Sequence, residues 1–208
     1  MLADSIAVLD FETTGLSPSQ QARATEIGVV IVEGGQIVAR YQSLMNSGAW
    51  VPPFIEQLTG ISNAMLRSAP PAAQVMADVA DFVGERPLLA HNASFDQKFW
   101  DAELALVRRR RLQPFACSLL LARRLLPQAP SHKLGSLNQW LGLPSTGQAH
   151  RALADAEMAA NLTCFMARLL REHHGIAEVS HDLLYSLQKV PAAKMSQALE
   201  KIRGQAHG

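Results

Sequence analysis

The order in which strands and helices follow one another constrains the fold of this chain more than any other feature. Three apolar segments, partly β-branched, come first and have no helical pattern between them: residues 5–11, 26–32 and 36–44. Short strands at 87–91 and 115–118 then alternate with helical patterns. Strands joined by a tight turn such as Gly34-Gly35 pair antiparallel, whereas strands separated by a helix pair parallel. The sequence therefore predicts an α/β fold in which a mixed β-sheet, made of a three-stranded antiparallel meander plus parallel crossover strands, is flanked by helices.

The helical patterns also suggest where the main domain ends. Apolar spacing and flanking Pro or Gly residues predict helices at 54–58, 71–83, 94–107, 119–126, 134–141 and 149–171. From His173 onward the chain is polar and helical, without a strand pattern. We therefore expect a domain at 1–171 and a helical C-terminal extension at 172–208. The sequence leaves open whether that extension packs on the domain or on another protein.

Composition narrows the surroundings in which the chain works. No apolar run is long enough to span a membrane, and the start of the chain does not resemble a signal peptide, so we expect a cytoplasmic protein without a membrane partner. Cys117 and Cys164 lie among apolar residues, which favours buried thiols but leaves one disulfide open. A net charge of +1 gives little long-range attraction for nucleic acid, so a polyanion must be held by local groups and metal.

Two carboxylates end the first strand. Asp10 and Glu12 are two residues apart, so in a strand they project from the same face. Two neighbouring carboxylates repel each other unless a cation lies between them. A pair of solvated charges at a strand end explains this short pattern equally well, so it needs support from elsewhere in the chain.

A third carboxylate follows the next strand of the sheet. Asp96 lies near the start of a helix, where an Asp is often simply a cap. If the strand before it neighbours the first strand, Asp96 faces the same sheet edge as Asp10 and Glu12. Asn92 is placed to shape this turn and to hydrogen-bond the site.

The last two candidates are His150 and Asp155. Asp155 falls inside an Ala-rich helical pattern whose small residues permit close packing against the sheet. A separation of five residues would put His150 on a different side of the same helix, so His150 must lie ahead of the helix to reach the site. A loop histidine beside a metal suits a general base, although an ordinary surface histidine is the simpler interpretation of His150 alone.

Ligands that are all oxygen select Mg²⁺ or Mn²⁺ over zinc. Several carboxylates that share two such ions match the two-metal arrangement for phosphodiester cleavage. The sequence contains no Walker glycine loop, no G-x-S-x-G elbow and no Cys/His zinc spacing that would indicate other chemistry.

Three motifs together resemble one family. Asp10-Phe11-Glu12-Thr13-Thr14-Gly15, Asn92-Ala93-Ser94-Phe95-Asp96 and His150-Arg151-Ala152-Leu153-Ala154-Asp155 are similar, in order and spacing, to the motifs of the DEDDh (DnaQ-like) exonucleases. This family has a ribonuclease H-like fold and includes the proofreading epsilon subunit of bacterial DNA polymerase III. The resemblance covers roughly the first 170 residues.

The resemblance implies a role for each site residue. Asp10, Glu12 and Asp155 would hold the catalytic metal, Asp96 would assist a second ion, and His150 would deprotonate the attacking water. Leu16 would lie near the terminal base, and Phe11 is a weaker candidate for that position because its side chain should face the core. Substrate contacts would come from two segments, which are Thr13, Thr14, Gly15 and Leu16, and then Thr59, Gly60 and Ile61.

The function expected from these residues is a metal-dependent 3′→5′ exonuclease that releases nucleoside 5′-monophosphates from single-stranded 3′ ends, with DNA favoured over RNA. A polymerase or repair complex would be its partner, through residues 172–208. Two alternatives stay open: an RNA-trimming or short-oligonucleotide exoribonuclease of the same family, and a non-catalytic binding module. The complete set of mutually repelling carboxylates argues against the binding module.

Overall fold

A computed structural model describes residues 2–144 and 150–205, and its core is one mixed sheet. The sheet has the strand order β3-β2-β1-β4-β5. The strands are β1 (Ile6–Thr13), β2 (Ala24–Glu33), β3 (Gln36–Leu44), β4 (Leu88–Ala90) and β5 (Phe115–Cys117). The β1–β2 and β2–β3 pairs are antiparallel, and the β1–β4 and β4–β5 pairs are parallel. The predicted meander followed by parallel crossover strands is therefore confirmed.

Helices cover both faces of this sheet. They are α1 (Pro53–Thr59), α2 (Asn63–Arg67), α3 (Ala72–Val83), α4 (Ala93–Leu106), α5 (Ser118–Leu125), α6 (Leu134–Trp140), α7 (Ala152–His174), α8 (His181–Leu187) and α9 (Met195–Gln205). The sequence did not predict α2, because five residues are too few to show a helical period. The helix predicted for residues 149–171 begins at Ala152 and ends at His174, where Gly175 adopts a left-handed conformation. The predicted start, Ala149, lies outside the described residues.

Alternation along β1 decides which face carries the carboxylates. Ile6 and Val8 belong to the core on the α7 side, whereas Ala7, Leu9 and Phe11 belong to the core on the α3 and α4 side. Since side chains alternate along a strand, Asp10 and Glu12 continue the face that α7 covers. Phe11 points the other way and packs near the rings of Phe99 and Trp100, so its interpretation as a core residue is confirmed.

The strand bearing these carboxylates is longer than the sequence indicated. β1 was expected to stop at Phe11, but it continues to Thr13, and β2 begins at Ala24. Glu12 is therefore paired with Glu26 in the ladder instead of lying beyond its end. Charged residues at the end of an apolar run suggest that the strand stops there, but backbone pairing does not depend on side-chain charge.

The chain after residue 171 packs on the same core. α7 continues through residue 171 without a break, and Ile176, Val179, Leu184 and Leu187 are buried in the core on the α7 side. The Cys117 backbone N–H of the edge strand β5 donates to Gln188 Oε1 at 2.6 Å. This segment therefore packs on the domain, while the boundary at residue 171 and any partner of residues 172–208 remain predictions.

Cys117 and Cys164 are both free thiols, the first buried and the second half-buried. Among the helices of residues 2–144 and 150–205, none combines the length and apolar character that a membrane crossing requires.

Candidate active site

The first turn of α7 lies directly on the sheet, and Gly28 makes this approach possible. Gly28 is paired with Asp10 in the β1–β2 ladder. A Cβ at Gly28 would overlap the Leu153 backbone nitrogen, which no side chain tolerates. Because Gly28 has no side chain, the helix start reaches the sheet and brings Asp155 to Asp10 and Glu12.

Three of the sequence-predicted residues come together where this helix meets β1. Glu12, His150 and Asp155 each offer a ligand atom, and these atoms lie within 4.8 Å of one another. His150 lies ahead of α7, as the five-residue separation predicts, with a left-handed φ of 60° and an exposed side chain. Its backbone N–H donates to Asp155 Oδ2 at 3.2 Å, and its imidazole interacts electrostatically with the same carboxylate.

Asp96 reaches the same place from the opposite layer of helices. It is only 1% exposed, and its Oδ1 accepts the Phe11 backbone N–H at 3.1 Å, between the two carboxylates of β1. The Asp96 carboxylate thus binds the neighbouring strand as well as its own backbone N–H in the first turn of α4. The residue at the helix N-cap is Asn92, in a left-handed conformation that its short polar side chain tolerates.

A buried histidine supports the turn that carries Asn92. His91 Nε2 lies 3.0 Å from the His132 carbonyl oxygen, and its Nδ1 lies 3.0 Å from Ser118 Oγ. Since a carbonyl can only accept, Nε2 carries the proton, and Nδ1 accepts from the Ser118 hydroxyl. Burial lowers the pKa of His91 to about 4, so the ring stays neutral and keeps both bonds.

The site concentrates negative charge. Burial, followed by the Asp96 and Asp155 carboxylates, raises the pKa of Asp10 well above its usual value. Burial and then Asp155 raise the pKa of Glu12 to about 8. Burial also raises the pKa of Asp96 and of Asp155, the latter opposed by His150. It is unfavourable for all of these carboxyl groups to be ionised at the same time. A bound cation would offset this cost, because it attracts the ionised carboxylates.

The donor set fits a hard divalent cation. Asp10 is not one of the residues in the Glu12, His150 and Asp155 cluster, but its carboxyl group interacts electrostatically with Glu12 and Asp155. Carboxylate oxygens predominate, and such ligands favour Mg²⁺ or Mn²⁺. The Arg151 guanidinium lowers the pKa of Glu12, but it is ion-paired with another carboxylate.

That other carboxylate, Glu26, is the residue that sequence reasoning missed. It is fully buried on β2 opposite Glu12, and its oxygens accept from Arg151 Nη2 at 2.7 Å and from the Ala152 backbone N–H at 3.1 Å. Glu26 thus caps α7 from a neighbouring strand, since the N-cap residue Arg151 provides no side-chain cap. The sequence did contain an indication, because Glu26 is an acidic residue at the start of an apolar strand, as costly there as Asp10.

The predicted substrate-binding residues fall into two groups by exposure. Leu16 is 78% exposed, and Gly60 and Asn92 are also exposed. Thr59 and Ile61 are buried: Thr59 Oγ1 bonds the Ile55 carbonyl and the Ile61 N–H, and Ile61 packs in a small apolar cluster. These two side chains therefore stabilise the end of α1 and the turn after it. Contact of Thr59, Gly60 and Ile61 with the substrate remains a prediction.

The first of these segments is held largely by its own bonds. Thr13 is buried and donates from Oγ1 to the Gly15 carbonyl oxygen at 2.7 Å. The Thr14 backbone N–H donates to the Arg23 carbonyl at 2.9 Å, and Thr14 Oγ1 accepts the Arg23 N–H at 3.0 Å. These bonds occupy Thr13 and Thr14, whereas the Leu16 side chain is exposed.

The chain is similar in sequence to a known protein family and to several known proteins. A family model described as exonuclease (RNase_T) matches residues 7–163, a span that includes all five site residues. The chain is 30% identical over 195 residues to DNA polymerase III subunit epsilon from Aquifex aeolicus, with 93% of each protein covered. It is 36% identical over 181 residues to a PolC-type DNA polymerase III from Oceanobacillus iheyensis, but spans 12% of that protein.

Solved structures share the fold. The chain resembles exonuclease X in complex with 5′-overhanging duplex DNA, with a TM-score of 0.69, 24% identity, and coverage of 88% of this chain and 99% of that one. It also resembles Escherichia coli exonuclease I in complex with a dT13 oligonucleotide, with a TM-score of 0.68, 18% identity, and coverage of 83% and 42%. With the family match over most of its length, the chain belongs to the RNase_T exonuclease family and is a DEDDh-type 3′→5′ exonuclease with a ribonuclease H-like fold.

Proposed function

We propose that the protein removes nucleoside 5′-monophosphates from the 3′ ends of single-stranded DNA with the help of two divalent cations, Mg²⁺ or Mn²⁺. The observation that carries this proposal is the convergence of β1, α4 and α7 on one cluster of carboxylates. Each of these carboxylates has a raised pKa, and the nearby Arg151 is committed to Glu26.

The cations would be held by Asp10, Glu12 and Asp155, with Asp96 supporting the second. When bound, such ions supply charge stabilisation for the attacked phosphate and for the leaving oxygen. The protein contributes rigidity, because each carboxylate stands on a strand or helix whose packing is fixed by Gly28 or by the Asp96–Phe11 hydrogen bond.

His150 would remove the proton from the attacking water. Its imidazole is exposed and lies beside Glu12 and Asp155, and its backbone N–H donates to Asp155. A histidine placed in this way can accept a proton during the reaction and release it to solvent afterwards. The terminal nucleotide would be contacted by the residues predicted from the sequence, which are Thr13, Thr14, Gly15, Leu16, Thr59, Gly60, Ile61 and Asn92.

DNA is favoured as the substrate because of the relatives. The Aquifex and Oceanobacillus proteins are named as DNA polymerase III components, and exonuclease I was solved with a dT13 oligonucleotide. By the same similarity, a replicative polymerase is the proposed partner, reached through the surface of residues 172–205. Single-stranded RNA is the second candidate substrate, since no described residue is committed to reading a 2′-hydroxyl.

The test uses single-stranded DNA and RNA oligonucleotides labelled at either end, incubated with Mg²⁺, Mn²⁺ or EDTA. We expect stepwise loss of mononucleotides from the 3′ end of DNA, abolished by EDTA and by Asp10→Ala. Glu178→Gln, which changes an exposed acid on the loop after α7, is the matched control and should retain full activity. Cleavage that survives EDTA, or tight binding without cleavage, would refute the proposal, and preferential degradation of RNA would replace DNA by RNA.

A further inference from the structure

Three large apolar side chains are left exposed in the segment between β3 and Gly60. Trp50, Phe54 and Leu58 are 65%, 67% and 52% exposed, and they recur at intervals of four residues. We call these three residues the α1 face, since Phe54 and Leu58 lie one turn apart on α1 and Trp50 lies just before it. Aromatic residues make up only 6% of the chain, so two exposed aromatic rings in one short segment require an explanation.

This segment lies at the active-site end of the sheet. β3 ends at Leu44, which pairs with Glu26, and Glu26 in turn pairs with Glu12. Arg23 links the two regions further, because its backbone N–H donates to Thr14 Oγ1 while its side chain donates to the Ser47 carbonyl oxygen. Leu44 packs against the apolar cluster of Val51, Ile61 and Leu66, so the segment that bears the α1 face is anchored at the end of the sheet that carries the carboxylates.

The support beneath the α1 face is well ordered. Val51, Ile61 and Leu66 form their own apolar cluster. The Asn63 side chain bonds both the N–H and the carbonyl of Val51, at 2.8 and 2.9 Å. The segment thus has a core to bury apolar groups in, yet Trp50, Phe54 and Leu58 remain outside it.

Trp50 also borders a surface cavity whose lining includes the side chain of Arg67. A surface cavity of about 270 Å³ is lined by Trp50, Asn63, Leu66 and Arg67, together with residues of the preceding loop. Arg67 is exposed and, within the described part of the chain, forms no ion pair or side-chain hydrogen bond. An aromatic ring beside an unpaired guanidinium suits a nucleotide, whose base stacks on the ring while its phosphate meets the cation.

We propose that the α1 face is the path of the single-stranded DNA upstream of its terminal nucleotide, with bases stacked on Phe54 and Trp50 and a phosphate held by Arg67. This inference rests on the proposed function and extends it from the terminal nucleotide to the rest of the strand. DNA is the occupant because the segment is anchored at the carboxylate end of the sheet and because the Arg67 guanidinium beside Trp50 complements a phosphate. A net charge of +1 also requires strand affinity to come from local contacts such as stacking.

The experiment compares a long and a short substrate. For dT10 and dT2, kcat/KM is measured in wild type, Trp50→Ala, Phe54→Ala, Trp50→Phe and Arg67→Ala, all in Mg²⁺. We expect each loss of an aromatic ring to lower the ratio of the dT10 value to the dT2 value about fivefold or more, since stacking on one ring is worth at least that factor. Trp50→Phe should recover most of the ratio, and Arg67→Ala should lower it in a salt-dependent manner.

Leu112→Ala is the matched control, because Leu112 is 78% exposed but lies beyond the far end of α4, away from Asp96. A second measurement separates this inference from the proposed function: the binding of 5′-fluorescein-labelled dT10 to the same variants in an Asp10→Ala background, followed by anisotropy. If wild type cleaves but neither ratio nor binding changes in the aromatic variants, the α1 face is not the DNA path. If wild type does not cleave DNA, the proposed function fails, and the anisotropy series still decides whether the α1 face binds the strand.

Discussion

The carboxylate of Glu26 is bound on both oxygens by the guanidinium of Arg151, at 2.7 Å from Nη2 and 3.1 Å from Nε. Glu26 belongs to β2, and Arg151 is the residue just before α7. The same carboxylate accepts the Ala152 N–H, so this one group fixes the start of the helix on the sheet. Asp155 lies one turn further along α7, and its position therefore depends on this ion pair.

Replacing Arg151 and replacing Glu26 should lower the free energy of unfolding by different amounts. Arg151→Met leaves the buried Glu26 charge unpaired, and we expect a loss of about 3 kcal/mol in the free energy of unfolding, near the lower end for such pairs because Arg151 is 33% exposed. Glu26→Gln should cost about 1 kcal/mol, since the amide oxygen can still accept from Ala152 and Arg151 can turn to water. Urea unfolding monitored by circular dichroism measures both.

The double variant completes this comparison. Glu26→Gln with Arg151→Met should be more stable than Arg151→Met alone, because the unpaired buried charge is gone. Equal and additive losses in the two single variants would show that the pair contributes no coupling and does not position α7.

Gly28 offers a direct way to displace Asp155. Gly28→Ala places a methyl group where the Leu153 backbone stands, so the start of α7 must move away from β2. We expect a loss of stability of about 1–3 kcal/mol and a fall in kcat of about a hundredfold, the cost of a shift near 1 Å in catalytic groups. Single-turnover cleavage of a 3′-labelled oligonucleotide reports the chemical step.

The control for this substitution is Gly135→Ala in α6, where a Cβ meets no atom within 4 Å. It should leave kcat unchanged and stabilise the protein by about 0.5–1 kcal/mol, as replacing Gly in a helix usually does. If both glycine variants behave alike, the close approach of α7 to β2 is not what places Asp155.

Sequence patterns could single out the candidate site residues because each of them is a polar residue among apolar ones. Asp10 and Glu12 could be assigned to one face from the period of a strand, and His150 to the loop before α7 from the period of a helix. The burial of Thr59 and Ile61 could not be predicted, since the end of a short helix and the turn after it show no periodicity. The same holds for Gly28, because a glycine within a strand pattern does not reveal which backbone approaches it.

The ion pair between Glu26 and Arg151 could not be predicted from the sequence for a different reason. Glu26 and Arg151 are 125 residues apart, and nothing in either local pattern indicates the partner. The buried position of Glu26 could be read from β2, but its neutralisation could be found only from the packing of α7 on the sheet. Long-range pairing of charges is set by tertiary structure and not by local propensity.

The raised pKa values predict how pH acts on the metal-free protein. Glu12 has a pKa of about 8 in the folded state, far above the ordinary value of 4.5 that it regains on unfolding. Between these values the folded protein holds a proton that the unfolded chain has lost, so stability falls as pH rises from about 4.5 to 8. The raised pKa values of Asp10, Asp96 and Asp155 act in the same direction.

A cation should reverse this trend, because it binds the ionised carboxylates. We expect the Tm in EDTA to be higher at pH 5.5 than at pH 8, and the increase in Tm produced by Mg²⁺ or Mn²⁺ to be larger at pH 8. Asp10→Asn should raise the Tm in EDTA at pH 8 and diminish the cation effect. A cation effect that is independent of pH, or absent, would show that these carboxylates do not form the metal site.

The last prediction concerns the chain beyond α7. Truncation after Gly175 removes Ile176, Val179, Leu184 and Leu187 from the core, and also the Gln188 side chain that pairs with the edge of β5. We expect the truncated protein to aggregate or to unfold without cooperativity, because an unpaired edge strand and an open core are exposed together. Leu184→Ala in the full chain should cost about 2–5 kcal/mol, whereas Leu112→Ala at an exposed position should be neutral. Thermal unfolding and size-exclusion chromatography distinguish these outcomes, and a truncated protein that stays monomeric and fully active would mean that the segment serves a partner and not the fold.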